Sequence, residues 1–293
     1  MNWTSQSWWA YLQLMRPPNI ITAHVDILVG YAASGATEPS RLGWLLLATT
    51  GLYGGGVVFN DVFDAELDAI ERPERPIPSE RASRQGAVFL GSFLLLAGIA
   101  AAAKASPTSA LLAATIAIAA LVYDAVGKHH PLFGPLNMGI CRGANLLLGV
   151  SAVPIALEQW WGLAIVPIVY IAAITAISRG EVGGGRQSTG WLAIVLVVAV
   201  TLATLALGIL PNYSSWIALP FAVLFAGLVW PPFWNAATDP SADRIRNAVR
   251  TGVLCLIVLD ATVAAGFAGW VYGLLVLGLL PISWGLARVF AVT

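Results

Sequence analysis

Residues 42–68 read LGWLLLATTGLYGGGVVFN followed at once by DVFDAELD. The first part, residues 42–60, has no charged side chain and is about as long as a helix that crosses the hydrocarbon core of a bilayer, which needs roughly 20 residues. The second part, residues 61–68, carries four carboxylates. This junction predicts a membrane-spanning helix that ends in a group of acidic side chains at the membrane surface.

Apolar runs and short charged segments alternate along the whole chain of 293 residues. Charged residues make up 10% of the chain and the mean hydropathy is +0.79, whereas roughly a quarter of a soluble domain is charged. This composition excludes a soluble enzyme, a nucleic-acid binder and a secreted disulfide scaffold. We predict an all-α polytopic membrane protein, one domain over residues 1–293, with nine or ten helices at 19–37, 42–60, 85–104, 107–124, 134–155, 160–178, 190–210, 214–231, 247–267 and 270–290.

The basic residues indicate how the chain is oriented. Ten spans with the N-terminus inside leave only Arg41 and Lys104 outside and Arg142 within a span. Twelve basic residues then lie inside: Arg16, Arg72, Arg75, Arg81, Arg84, Lys128, Arg179, Arg186, Arg244, Arg246, Arg250 and Arg288. By the positive-inside rule this predicts a plasma (cytoplasmic) membrane protein with a cytoplasmic N-terminus. The large cytoplasmic loops are 60–84, 124–133, 179–189 and 232–247, and the Trp-rich segment 1–16 is predicted to lie in the interface.

Four oxygen ligands share one helical face at the first loop. Asp61, Asp64 and Asp68 are spaced i, i+3, i+7, and Asn60 joins the stripe because Asp64 and Asp68 lie four and eight residues after it. Three like charges on one stripe repel each other and are costly near a membrane. Hard oxygen ligands of this kind suit Mg²⁺, which is normally bound together with substrate phosphates.

Two arginines, Arg72 and Arg75, follow the acidic stripe directly. Their guanidinium groups suit phosphate oxygens. Carboxylates and arginines beside an apolar bundle therefore indicate an amphipathic ligand with a diphosphate head and a hydrocarbon tail. The alternative is a solvated loop in which these carboxylates simply pair with the arginines.

The segment Asn60–Asp68, with RPERPIPS at 72–79, resembles the first aspartate-rich motif and following loop of the UbiA family of intramembrane prenyltransferases. Further similar elements are Tyr123-x₄-Lys128, PLFGPLN at 131–137, Arg142-Gly143 and RPPN at 16–19. The resemblance implies a ring of nine transmembrane helices around a lipid-accessible cavity, to which a tenth helix would be an addition.

The resemblance also implies a reaction and roles for single residues. The reaction is Mg²⁺-dependent transfer of a prenyl group from a prenyl diphosphate, geranylgeranyl or similar, to a small acceptor within the bilayer. The sequence does not identify the acceptor. The residues implied for Mg²⁺ are Asn60, Asp61, Asp64 and Asp68, and those for the diphosphate are Arg72, Arg75 and Lys128. The resemblance also implies catalytic roles for Asn137 and for Tyr123, which would lie beside the reacting carbon.

The second site of that family is reduced in this chain. Residues 178–186 read SRGEVGGGR, with one carboxylate, Glu181, where two or three are expected, as in a divergent, EboC-like branch of the family. Arg179 and Arg186 are predicted to supply positive charge to the diphosphate directly. Glu181 has either a catalytic role or a structural one, paired with Arg179 or Arg186.

Charged residues within the spans complete the candidates. Asp26 or Asp260 could pair with Arg142 in a structural role, or Asp26 could serve as a general base in the cavity.

Two other functions would use the same acidic stripe, arginines and apolar bundle. One is a membrane terpene cyclase that acts without an acceptor, and the other is a non-catalytic protein that binds or transports a lipid.

Overall fold

The computed structural model describes residues 5–128 and 130–290, which leaves out part of the predicted segment 1–16 and one residue of the predicted loop 124–133. The described part is helical. Its α-helices are α1 (Ser5–Leu14), α2 (Pro17–Ala33), α3 (Pro39–Phe63), α4 (Ala65–Glu71), α5 (Arg84–Ala105), α6 (Pro107–Val122), α7 (Phe133–Val150), α8 (Ala156–Trp160), α9 (Ile165–Ser178), α10 (Gln187–Ala206), α11 (Ser215–Thr238), α12 (Ala242–Leu277) and α13 (Leu279–Leu286). A π-helix at Tyr123–Gly127 and 3₁₀-helices at Trp161–Ala164 and Leu207–Ile209 extend three of them.

The long helices pack in chain order into a closed ring. Each of α2, α3, α5, α6, α7, α9, α10, α11 and α12 packs against the next, and α12 returns to α2. Across the ring, α2 also packs against α7. The outer surface is strongly apolar, with Phe89, Leu111 and Trp216 at least 70% exposed. This is the surface expected of a helical bundle in lipid, and it confirms the predicted all-α membrane fold.

Glycines allow one of these helix pairs, α2 and α7, to approach closely. A Cβ at Gly30 would lie 2.2 Å from the Leu146 carbonyl oxygen, and one at Gly149 would lie 2.5 Å from that of Ile27. Both are backbone atoms that cannot move aside, so α2 and α7 touch through their backbones. Small residues commonly mediate such contacts in membranes.

Seven segments of the described chain are long and apolar enough to cross a membrane: 39–71, 84–105, 107–127, 156–178, 187–209, 215–238 and 242–286. Helix α2, which has 17 residues, and the partly polar helix α7 are not among them. Both carry polar side chains on faces that are buried within the bundle. The number of crossings, nine or ten, therefore stays a prediction.

The chain reverses within α12. Gly269 has φ 86° and ψ 176°, a conformation that favours glycine. A Cβ at Gly273 would lie 2.6 Å from that of Ala265, although eight residues of continuous helix would separate them by about 12 Å. Residues after Gly269 therefore run back along α12, and Ser283 Oγ donates to the Pro18 carbonyl oxygen at 3.0 Å.

The loop predicted at 232–247 is mostly helical. Helix α11 continues through Pro231 and Pro232 to Thr238, and α12 already begins at Ala242. The predicted span 214–231 ended at the first of these two prolines. Prolines are nevertheless tolerated inside membrane helices, where neighbouring groups satisfy the freed carbonyls.

Helix α1 lies along the end of the bundle. Ala10 and Leu14 are fully buried against Val58 and Ala87, whereas Trp8 is 62% exposed. This is the amphipathic character expected of an interfacial segment, whose position in a membrane stays a prediction.

Candidate active site

A cavity of about 460 Å³ lies between α3, α6, α7, α9 and α12. Its inner walls are apolar and include Leu52, Ile116, Ile174, Val253 and Leu256. Its other end is lined by charged side chains from the end of α3, from α4 and from the segments after α6 and α9. The cavity can therefore accept a molecule with a charged head and a hydrocarbon tail.

The acidic stripe lies at the polar end of this cavity. Helix α3 ends at Phe63 and α4 continues almost without interruption, since the amide of Asp68 donates to the Asp64 carbonyl at 2.8 Å. Asn60, Asp64 and Asp68 line the cavity, as the predicted helical face requires. Asp61 lines a second, adjoining cavity instead.

Every aspartate of the stripe pairs with a cation. The Arg75 Nη1 lies 2.7 Å from Asp68 Oδ2 and 3.3 Å from Asp61 Oδ1, so it bridges two carboxylates. Arg16 Nη2 lies 2.7 Å from Asp61 Oδ1, and Lys128 Nζ pairs with Asp64. The predicted metal ligands and two predicted diphosphate ligands thus form a single charged cluster.

A π-helix places the next group of site residues. The amide of Lys128 donates to the Tyr123 carbonyl at 2.9 Å, an i to i+5 bond that turns both side chains toward the cavity. Single π turns inside helices are frequent at functional sites. Asp124 also lines the cavity and accepts a 2.8 Å hydrogen bond from Asn60 Nδ2.

The segment after α9 brings Glu181 and Arg179 to the same end. Glu181 is 7% exposed, and its Oε2 lies 3.4 Å from Arg72 Nη2 while its Oε1 has no hydrogen-bond partner. Burial raises the pKa of Glu181 and the neighbouring Arg72 opposes this. The partner is therefore neither Arg179 nor Arg186, the two arginines that the sequence suggested.

The two arginines of this segment differ in position. Arg179 lines the cavity and donates to the carbonyl oxygens of Lys128 and His130 at 2.9 and 2.7 Å. Arg186 is exposed and lines neither cavity. Asn137 is buried away from the cavity and donates to the Ala119 carbonyl at 3.1 Å, which ties α7 to α6.

A buried charge cluster lies beside the apolar part of the cavity. Arg142 Nε lies 2.6 Å from Asp26 Oδ2, which also accepts a 2.8 Å hydrogen bond from Asn145. Asp260 lies against Asp26. Arg142 and Asn145 line the cavity whereas Asp26 does not, so the pairing expected from the sequence exists and Asp26 is shielded from a ligand.

Sequence reasoning left two residues out of the site. Arg16 lines both cavities and Asp124 lines the first. Arg16 opens the RPPN segment, and Asp124 directly follows Tyr123. Both residues therefore lie in or next to segments that the sequence analysis had already singled out. Only the fold shows that they touch Asp61 and Asn60.

The donor set suits a divalent cation shared with a substrate. In the described residues no three His, Cys, Asp or Glu side chains converge as a complete metal site. Mg²⁺ does not need one, because it usually binds through one or two carboxylates plus substrate phosphates and keeps several waters. Asp64 and Asp68, with neighbouring cations at the mouth of an apolar cavity, fit this mode.

The fold and the site thus define an integral membrane protein with a cavity that has a charged end and apolar inner walls. The UbiA prenyltransferase family model matches residues 23–249. The chain belongs to this family and is a prenyltransferase of the UbiA type, as the sequence motifs predicted.

Three similar proteins illustrate the relationship. The digeranylgeranylglyceryl phosphate synthase of Methanoculleus marisnigri is 27% identical over 276 residues, which cover 87% of this chain and 98% of that protein. A UbiA homolog from Aeropyrum pernix K1 has a TM-score of 0.68 at 17% identity, with 83% and 96% coverage. A UbiA homolog from Archaeoglobus fulgidus bound to DMAPP and Mg²⁺ has a TM-score of 0.57 at 15% identity, with 86% and 98% coverage. These two structural matches support the fold.

Proposed function

We propose that the protein transfers a prenyl group from a prenyl diphosphate to a small acceptor, with Mg²⁺ bound at Asp64 and Asp68. One observation carries the proposal: carboxylates, Lys128 and Arg179 line the charged end of a cavity whose inner walls are apolar. The diphosphate binds at the charged end and the hydrocarbon chain lies along the apolar walls. The A. fulgidus homolog bound to DMAPP and Mg²⁺ supports this choice of donor and metal.

Charge stabilisation is the main task of the charged end. When the bond between C1 of the prenyl chain and the diphosphate oxygen breaks, negative charge develops on the departing diphosphate. Bound Mg²⁺ would supply Lewis-acid stabilisation of that charge. Lys128, Arg75 and Arg179 are positioned to supply fixed positive charge. Asn60 and Asp61 belong to the same stripe of oxygen ligands, with Asn60 lining the first cavity and Asp61 the second.

The apolar walls protect the allylic cation from water until the acceptor reaches it. Tyr123 lines the same cavity, where its ring can stabilise positive charge. An acceptor hydroxyl then forms the new bond to C1 and releases its proton. Glu181 Oε1, buried and without a partner, is the group that accepts this proton.

The basic residues support a site that faces the cytoplasm in a plasma membrane. The cavity is lined by Arg16, Arg72 and Lys128, which belong to the set of basic residues that the positive-inside rule places in the cytoplasm. The EboC-like branch stays a prediction. The name of the M. marisnigri relative makes a glyceryl phosphate lipid the first acceptor to try.

Replacement of single aspartates tests the proposal. Asp64→Ala and Asp68→Ala should abolish Mg²⁺-dependent release of diphosphate from geranylgeranyl diphosphate, because each removes an oxygen ligand at the leaving group. Asp239→Ala and Asp243→Ala, whose side chains are 52% and 91% exposed and line neither cavity, are matched controls. Unchanged release in both site variants would refute the proposal.

The same assay separates the alternative functions. Conversion of the diphosphate to a cyclic hydrocarbon or alcohol without acceptor would indicate a terpene cyclase. Saturable binding of the lipid without any Mg²⁺-dependent turnover would indicate a binding or transport protein.

A further inference from the structure

Asp124 is an acid in the wall of the first cavity to which the proposed reaction assigns no role. It lies in the π-helix at Tyr123–Gly127, lines the cavity and is 3% exposed. The aspartates of the acidic stripe pair with cations, as buried acids normally do. Within residues 5–128 and 130–290 Asp124 forms no ion pair, and its side chain accepts one hydrogen bond, from Asn60 Nδ2 at 2.8 Å.

This hydrogen bond determines which end of the Asn60 amide is free. An ionised carboxylate has only acceptor atoms, so it must face the Nδ2 of the amide and not its Oδ1. Among the described residues no donor bonds to Asn60 Oδ1, and Asn60 lines the cavity. The atom left for a ligand is therefore an oxygen, which is the ligand atom that Mg²⁺ takes. Without Asp124 the amide could turn about its terminal torsion, which is roughly two-fold, and present the NH₂ group instead.

A second contact joins the same two elements but responds differently to a metal. Asn60 lies in the last turn of α3, and Lys128, directly after the π-helix, pairs with Asp64. The Lys128 ammonium would compete with Mg²⁺ for Asp64, because both cations need the same carboxylate. The bond from Asn60 to Asp124 uses the amide nitrogen, which is not a Mg²⁺ ligand. It can therefore persist when the metal binds.

The Asn60 amide also limits the negative charge around the metal site. Asp64, Asp68 and Asp124 line the same cavity, and the charge of Asp64 acts on Asp124. A carboxylate at position 60 would lie about as close to Asp124 as the amide does, at 2.8 Å, and the two charges would repel each other. Asparagine supplies an oxygen ligand at this position without a further charge, provided that its oxygen faces the cavity.

We propose that Asp124 is a positioning residue for the metal site, which holds the Asn60 carboxamide with Oδ1 toward the Mg²⁺ bound at Asp64 and Asp68. The inference rests on the proposed function and adds to it a residue outside the acidic stripe. Asp124 acts through Asn60, by its hydrogen bond and not by its charge. Replacing groups that orient metal ligands in this way typically weakens metal binding about 10–100-fold.

Metal binding tests this role without catalysis. The detergent-solubilised protein is saturated with a non-reactive geranylgeranyl thiolodiphosphate and titrated with Mn²⁺, which prefers the same oxygen ligands as Mg²⁺ and whose free ion is measured by electron paramagnetic resonance. We expect Asp124→Ala to weaken the Kd for Mn²⁺ about 10–100-fold. Asp124→Asn should weaken it by less than about tenfold, because its Oδ1 can still accept from Asn60 Nδ2. Asp239→Ala, whose side chain is 52% exposed and lines neither cavity, is the matched control and should leave the Kd unchanged.

A double variant separates an action through Asn60 from an independent one. Asn60→Ala should itself weaken the Kd for Mn²⁺ about tenfold or more. Adding Asp124→Ala to Asn60→Ala should cause no further loss, because the group that Asp124 positions is already gone. Folding of each variant is checked by tryptophan fluorescence. Where Asp124→Ala does not fold, Asp124→Ser takes its place, since a serine hydroxyl can bond locally but is too short to reach Asn60.

Several results would overturn the inference. These are a Kd for Mn²⁺ that neither Asp124→Ala nor Asp124→Ser changes, equal losses for Asp124→Asn and Asp124→Ala, additive losses in the double variant, or the same loss in Asp239→Ala. Asp64→Ala is measured alongside to distinguish a failure of the proposed function. If Asp64→Ala weakens Mn²⁺ binding and the Asp124 variants do not, only this inference fails. If Asp64→Ala leaves the Kd unchanged, or the unsubstituted protein binds no Mn²⁺, the proposed metal site fails and this inference fails with it.

Discussion

Replacement of Arg142 by Met should strongly destabilise the bundle. The Arg142 side chain is 5% exposed, and its partner Asp26 is fully buried at 2.6 Å from Nε. The same guanidinium donates to the Thr22 carbonyl oxygen and lies 5.6 Å from the centre of the Tyr53 ring. Met is similar in length and apolar, so the substitution mainly removes the positive charge and its hydrogen bonds.

The loss of unfolding free energy follows from the two buried carboxylates that remain after the substitution. Asp26 and Asp260 would remain in contact without a counter-ion, and breaking a buried pair by removing one partner typically costs about 3–5 kcal/mol. The pair of Arg41 with Glu38 provides a comparison at a similar distance of 2.8 Å, but its side chains are 36% and 59% exposed. Exposed pairs contribute about 0–1 kcal/mol, so burial accounts for the difference.

Unfolding of the detergent-solubilised protein by denaturant, followed by tryptophan fluorescence, measures both free energies. Arg142→Met should lose about 3–5 kcal/mol of unfolding free energy and Arg41→Met no more than about 1 kcal/mol. The double variant Asp26→Asn/Arg142→Met should recover about 0.5–3 kcal/mol relative to the sum of the single losses, because one uncompensated acid is gone. Equal losses for Arg142→Met and Arg41→Met, or strict additivity in the double variant, would refute this reasoning.

Two further predictions concern the proton acceptor and the helix packing. Because burial raises the pKa of Glu181, and because a base must be deprotonated, the transfer rate should fall as the pH decreases through that raised value. Glu181→Gln should lose this acidic limb together with about 10²–10⁴-fold in rate, as a pH–rate profile would show, and an unaltered limb would exclude Glu181. Gly149→Ala should lower the unfolding free energy by about 1–3 kcal/mol because its Cβ meets a backbone oxygen of α2. Gly227→Ala, which has open space around it, should raise the unfolding free energy by a few tenths of a kcal/mol through helix propensity. A larger loss of unfolding free energy for Gly227→Ala than for Gly149→Ala would contradict the packing described.

The sequence was sufficient to predict where the membrane helices lie and that the acidic side chains share one helical face. Apolar length sets the position of a membrane helix, and the spacing of Asp64 and Asp68 sets a shared face, so both features are local. The predicted end of the span at residue 231 was wrong. Helix α11 continues through Pro231 and Pro232 to Thr238, because the bundle satisfies the backbone groups that the prolines leave free.

Partners across the bundle could not be predicted in the same way. The partner of Glu181 is Arg72, 109 residues away, whereas the sequence suggested its neighbours Arg179 and Arg186. Arg186 is close in sequence and still lies outside both cavities. Contacts of this kind depend on how α4 and the segment after α9 approach each other, and no local pattern encodes that approach.

The reversal of the chain at Gly269 has a consequence for biogenesis. The hydroxyl of Ser283 binds the carbonyl of Pro18, 265 residues earlier, and Tyr272 donates to the Leu28 carbonyl at 2.9 Å. During translation α2 enters the membrane long before these partners exist. These two hydrogen bonds to α2 can form only when residues 270–286 have been inserted. A chain that ends before this segment would therefore contain every residue that lines the first cavity and still lack these two contacts of α2.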